Sequence, residues 1–183
     1  MSYQVAIDKS WDELIRLKPK GNLSIKFFAD EYSVNIEGRR VLSLSCNAPV
    51  KDFIAILILH YLTSKLKGLP SLTNEWMNFK ELSGVEGYLS AFRRRAIEPI
   101  IRKYGHKPEG LLEALDRLPG KRVNQGDIGI VLDVFEQVPV LVSFWRADEE
   151  FGPEANMLFD RSITKIFCTE DIVVFGGFVA ASL

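Results

Sequence analysis

Carboxylates gather in VPVLVSFWRADEEFGPEANMLFD, residues 138–160, in a way that invites chemistry. Asp148, Glu149 and Glu150 follow an apolar run that ends at Trp145, and Asp160 returns ten residues after Glu150. Oxygen ligands converging from two segments are what Mg²⁺, Mn²⁺ or Ca²⁺ requires. A carboxyl crowded by like charges beside Trp145 or Phe151 would also have the raised pKa of a general acid. The opposing reading is a strand that has reached water, its acids solvated or ion-paired. Consecutive residues of an extended chain point to opposite sides, so at most two of the three adjacent acids share a face. That alternation favours the second reading.

A second cluster is cationic. Residues 87–107 hold Arg93, Arg94, Arg95, Arg102, Lys103 and Lys107 against Glu98, a local balance of +5, while residues 144–160 carry five acids against Arg146, a balance of −4. Cations interleaved with Phe92 and Tyr104 suit a phosphate backbone or a single strand. On a helical wheel, however, Arg93 and Arg95 flank the apolar stripe, where an arginine lays its stem over the core and aims its head at a partner. The expectation is that Arg93 or Arg95 grips the acidic segment, with Arg95 and Glu150 as the pair to test. The third candidate is His60, in the most apolar stretch of the chain. It is expected as a neutral core histidine bonded to a backbone or hydroxyl group. If it pointed at the acids, Asp148, Glu150, Asp160 and His60 would form a histidine–carboxylate metal site.

What composition excludes narrows the rest. With 183 residues, 26% charged and a net charge of −1, the chain suits one domain and argues against a dedicated nucleic-acid binder. The two cysteines, Cys46 and Cys168, form no CxxC pair, so no cysteine-held zinc knuckle or iron–sulfur cluster is expected from this chain. Any other cofactor is left open. FIAILILHYL (53–62) is about half the length needed to cross a bilayer. No signal segment is visible at the N-terminus, which predicts a cytoplasmic protein with no membrane partner. Nucleotide-loop, serine-elbow and zinc-helix motifs are absent.

The elements that must position these residues follow from periodicity. Ser10 with Glu13 reads as a capping box opening a short helix. Residues 23–45 alternate as a three-stranded meander with turns at Asp30-Glu31 and Glu37-Gly38. Residues 50–67 form a helix that is apolar nearly all round and so belongs in a core. Residues 72–82 are a strand or an aromatic loop, whose Trp76, Met77 and Phe79 are candidates for an exposed docking patch. A helix over 86–105 must break near Pro99, and another runs from Pro108 to Gly120. Residues 127–135 and 138–145 form a hairpin around Glu136-Gln137, and a terminal helix is capped by Thr169. The sum is a single α+β domain over 1–183, an antiparallel sheet made of the N-terminal meander and the later hairpin, packed against several helices.

With these residues in view, the chain resembles a known family. ILILHYL, WMNFKELSG with YLSAFRRR, and VPVLVSFWRADEEF leading into MLFDRSITKIFCTEDI resemble bacterial and archaeal proteins, frequent in anaerobes, that share domain of unknown function 3786. The likeness spans about residues 50–175, and DEEF…LFD…TEDI is its most specific part. It implies a shared fold and draws attention to Trp145, Asp148, Glu149, Glu150, Phe151, Asp160, Glu170 and Asp171. Some relatives add a cysteine-rich iron–sulfur segment that this chain lacks, and no activity accompanies the resemblance. The functional expectation is a binding or accessory protein serving a metal- or cofactor-dependent complex in anaerobic metabolism, using Arg93, Arg95, Trp76, Phe79, Trp145 and Phe151 toward another protein. The alternatives are a metal-dependent enzyme built on the acids 148–160 and a nucleic-acid binder built on helix 93–103.

Overall fold

A computed structural model describes residues 3–183. The architecture is α+β with two antiparallel sheets, and the chain divides into two compact units, Met1–Pro70 with Lys165–Phe167, and Ser71–Thr164 with Cys168–Leu183. The meander and the hairpin therefore lie in separate sheets.

The first unit opens with α1 (Tyr3–Arg16), followed by β1 (Asn22–Phe27), β2 (Asp30–Asn35), β3 (Arg40–Ser43), the two-residue β4 (Ala48–Pro49) and α2 (Asp52–Lys67). The sheet runs β1-β2-β3-β4. Ile25 opposite Tyr32 and Val34 opposite Val41 are all buried, the one-sided pattern of an antiparallel sheet with one packed face. The first hairpin turns at Phe28, in the left-handed region at φ 56, two residues before the expected Asp30-Glu31. α2 is buried continuously from Ala55 to Leu59, as its all-round apolarity requires. The expected capping box is not where α1 begins. The helix starts seven residues before Ser10, whose hydroxyl instead donates to the carbonyl of Ala6 inside the helix at 2.8 Å.

The second unit contains β5 (Trp76–Asn78), α3 (Leu89–Phe92), α4 (Glu98–Tyr104), α5 (Gly110–Glu113), β6 (Gly120–Val123), β7 (Ile128–Phe135), β8 (Val138–Trp145), β9 (Glu154–Asp160) and α6 (Thr169–Ser182). Its sheet runs β5-β9-β8-β7-β6. One face is carried by Ile130, Leu132, Val140, Val142, Phe144, Met157 and Phe159, all without exposed surface. Phe175 of α6 packs on it, 6.2 Å from Phe159 and 6.3 Å from Phe135 between ring centres.

The glycine pair of VFGGFVA explains how closely α6 approaches. A methyl at Gly176 would sit 2.6 Å from the Phe92 ring, 3.3 Å from Ala96 and 3.4 Å from Met157. Between α3 and α4 the chain forms one wide π turn, Arg93–Ile97. Pro99 has no amide for the carbonyl of Arg95, and its ring would collide with that carbonyl in a regular helix. The wider turn resolves this, with the amide of Glu98 donating to Arg93 five residues back. No helix among the described residues is long and apolar enough to cross a membrane.

Candidate functional site

The acidic segment leaves the sheet at the end of β8 and builds its own turn. Asp148 accepts the amides of Glu150 (2.9 Å) and Phe151 (2.8 Å), and its own amide donates to the carbonyl of Phe151 (3.0 Å). The two accepted amides, Phe151 first, hold the Asp148 carboxyl below its ordinary range. Glu149, Glu150 and Glu154 are exposed, and Phe151 is 69% exposed at the apex. The base of the turn is fixed on both sides. Arg146 pairs with Glu109 and donates its amide to Asp127. The ring of Pro153 lies against Gly105, just past α4. Trp145, 37% exposed, rests its indole on Gly126.

Asp160 is elsewhere. It closes the other end of β9, six residues from Glu154 and so about 20 Å away along the strand. Only 4% exposed, its Oδ1 accepts the amide and hydroxyl of Thr73 (both 3.0 Å) and the amide of Ser162 (2.9 Å), while Oδ2 accepts the amide of Asn74 (2.7 Å). Burial alone would raise its pKa, yet these bonds, those of Ser162 foremost, bring it down to about 2. Asp160 thus anchors the approach to β5 rather than joining Asp148 and Glu150. His60, in the first unit, lies 2.9 Å from the buried hydroxyl of Ser10. Since that hydroxyl directs its single proton to Ala6, the Nε2 of His60 is the donor. Among the described residues no three histidine, cysteine, aspartate or glutamate side chains gather so as to hold a metal ion. Within the second unit, Asp160 does not join Asp148 and Glu150 as the expected ligand set required.

The arginine helix does not grip the acids either. Arg93 pairs with Glu98 at 3.7 Å on its own helix, and the stem of Arg95 passes Gly177 of α6. Among the described residues Arg94, Arg95 and Arg102 have no hydrogen-bond or ion-pair partner. Lys103 is engaged, donating to the carbonyl of Leu183 together with Tyr104 and Arg117, where cations suit the negative end of α6. The expected aromatic patch at 76–79 shrinks to one residue. Met77 and Phe79 are 4% and 3% exposed, because Met77 points to the packed face of the sheet and Phe79 stacks on Phe92 at 4.1 Å. Trp76 alone remains open, at 37% on the edge strand.

Glu170 and Asp171 are structural as well. Glu170 accepts the Tyr88 hydroxyl at 2.6 Å, which lowers its pKa. Asp171 accepts the amide of Cys168 in a capping box, so Cys168 and not Thr169 caps α6. Thr169 donates its hydroxyl to Ser83 instead. A groove of about 340 Å³ runs along α1, but Val5, Asp8, Lys9, Asp12, Glu13 and Arg16 all come from one exposed helix face, and Asp12 is paired with Arg39. Sequence reading missed Thr73, Asn74 and Ser162 as the cradle of Asp160. It also missed the turn chemistry of DEEFG, where an aspartate three residues before Phe151 and a glycine after it already signal an Asp-centred turn.

A family model described as Domain of unknown function (DUF3786) matches residues 14–182. The chain belongs to that family. No curated protein and no solved structure matches the chain.

Proposed function

We propose that this chain is a non-catalytic binding module that engages another protein through the surface formed by the 148–154 turn and the neighbouring arginine helix. Phe151 carries the reading. Among the described residues it is the most exposed large apolar side chain, and three hydrogen bonds hold the turn that presents it, two amides donating to the Asp148 carboxylate and one amide to a backbone carbonyl. A fixed aromatic anchor loses little freedom on binding.

The other two readings find less support. General acid catalysis needs a raised carboxyl pKa, whereas Asp148 and Asp160 are both lowered. A nucleic-acid strand running along the helix to Arg102 would approach the turn that carries Asp148, Glu149 and Glu150, because Pro153 of that turn lies against Gly105, and phosphate repels carboxylate. The family resemblance suggests a metal- or cofactor-dependent complex as the setting. The test is a photo-crosslinking side chain placed at position 151, and separately at Tyr3 as an exposed control, in living cells. A discrete adduct at 151 that the control lacks supports the proposal. No adduct at 151, or the same adducts at both positions, refutes it.

A further inference from the structure

We infer that the partner of this surface is a second copy of the chain, in a two-fold dimer that seats each acidic turn on the other copy's arginine helix. This rests on the binding reading above and names its partner. The second unit carries two clusters of opposite charge that do not neutralise each other. Asp148, Glu149, Glu150 and Glu154 are exposed on the turn. Arg94, Arg95 and Arg102 are exposed and unpaired among the described residues.

The contact of Pro153 with Gly105 sets the turn beside the last turn of α4, where Arg102 is found. From Arg94 to Arg102 the helix extends about 12 Å. The turn therefore adjoins the C-terminal end of the helix, with Arg102 in the adjoining helical turn and Arg94 and Arg95 farther back along it, and Arg95 and Glu150 do not meet within the chain. A surface with the two signs adjacent is complementary to itself after a half-turn, the requirement of an isologous dimer. A wholly basic partner would suit the turn but be repelled by the helix, and a polyanion would meet the reverse. A net charge of −1 adds little general repulsion between copies. Phe151 supplies the apolar contact, and Leu89, 42% exposed one helical turn before Arg93, offers an apolar landing beside the cations.

Sedimentation equilibrium of the whole chain tests this, from roughly 10 µM to 1 mM protein at about 0.05 and 0.5 M salt. The native protein should dimerise at low salt and dissociate as salt rises. Glu149→Lys with Glu150→Lys, and separately Arg94→Glu with Arg95→Glu, should each weaken the dimer roughly tenfold or more. The 1:1 mixture of the two variants should recover a mixed dimer, which also shows that both are folded. Phe151→Ala should weaken the dimer and leave the fold intact.

A native protein that stays monomeric throughout overturns the inference, as does a dimer indifferent to salt and to both charge reversals, or a mixture no tighter than its parts. A monomer that still crosslinks from position 151 to a different protein would overturn the dimer alone. Absence of any crosslink would sink the binding reading itself.

Discussion

Replacing Asp160 with Asn should cost the fold about 2–3 kcal/mol at neutral pH. Its carboxylate is buried and receives four hydrogen bonds, three on Oδ1 and one on Oδ2. The fall from 3.8 to about 2, at about 1.4 kcal/mol per unit, corresponds to roughly 2.5 kcal/mol held by the charge. Asn keeps an acceptor for Thr73 and Ser162 but turns an amino group toward the amide of Asn74, so that bond becomes a donor–donor clash.

The pH dependence follows from the same shift. A folded-state pKa below the unfolded one gives stability that is full above about pH 4 and is lost as pH falls toward about 2. Urea unfolding at pH 7 and at about pH 2.5 measures both quantities. The gap between the native protein and the Asn variant should shrink from about 2.5 kcal/mol at the first pH to under about 1 kcal/mol at the second. Amide exchange should rise at Thr73, Asn74 and Ser162 in the variant before the rest of the sheet is affected. A variant within about 0.5 kcal/mol of native at pH 7, or a gap that persists unchanged in acid, would refute the assignment of Asp160 as a charged anchor.

Three shorter tests probe other contacts. Gly176→Ala places a methyl 2.6 Å from the Phe92 ring, so thermal unfolding should fall by about 1–3 kcal/mol equivalent. Gly177→Ala meets Arg95 Cβ at 3.5 Å and the Arg95 carbonyl oxygen at 3.8 Å, both ordinary contacts, and should be neutral or gain up to about 1 kcal/mol from helix propensity. Cys168 is exposed as a residue, but partial desolvation, with the charge of Asp171 adding, pushes the thiol up to about 12. At pH 8 its alkylation by iodoacetamide should be slower than that of an ordinary cysteine, because less of it is thiolate. Ser10→Ala should cost about 1 kcal/mol in urea unfolding by removing the partner of His60 Nε2. Combining it with His60→Gln should cost less than the two losses added.

The parts of the fold that were legible were those where burial imposes a period. The β7–β8 hairpin lies where two apolar runs and Glu136-Gln137 between them place it, with Gln137 at φ 59 in the loop. The helix of 50–67 and the break before Pro99 were equally readable, since both follow from the shape of a single residue type repeated or inserted. What escaped was local chemistry that tertiary contacts override. Ser10 looks like a cap because serine and a following glutamate usually are one, yet its hydroxyl serves Ala6 and His60 inside a longer helix. β9 was missed because Glu154 and Asn156 suggest a loop, although Ala155, Met157 and Phe159 alternate inward at period two. β6 has only Val123 to mark it and exists because β7 offers an edge.

The site was harder to read for a reason that charge counting cannot repair. Asp148, Glu149, Glu150 and Asp160 are alike as residue types, and their spacing says only that they are near one another along the chain. What separates them is the supply of backbone amides. Asp148 meets the two that its own turn presents, and Asp160 meets three brought by the Thr73-Asn74 turn and Ser162, the former some 86 residues away in sequence. Glu149, Glu150 and Glu154, with longer side chains and no such amides, keep their charge facing water. The same holds for the cations: Lys103 and Arg117 are satisfied by the carbonyls at the end of α6, whereas Arg94, Arg95 and Arg102 find no hydrogen-bond or ion-pair partner among the described residues. The groups available for binding are therefore those the backbone cannot satisfy. That is a property of the folded surface, and it selects Glu149, Glu150 and Phe151 over Asp148 and Asp160 as the residues whose substitution should change association without changing stability.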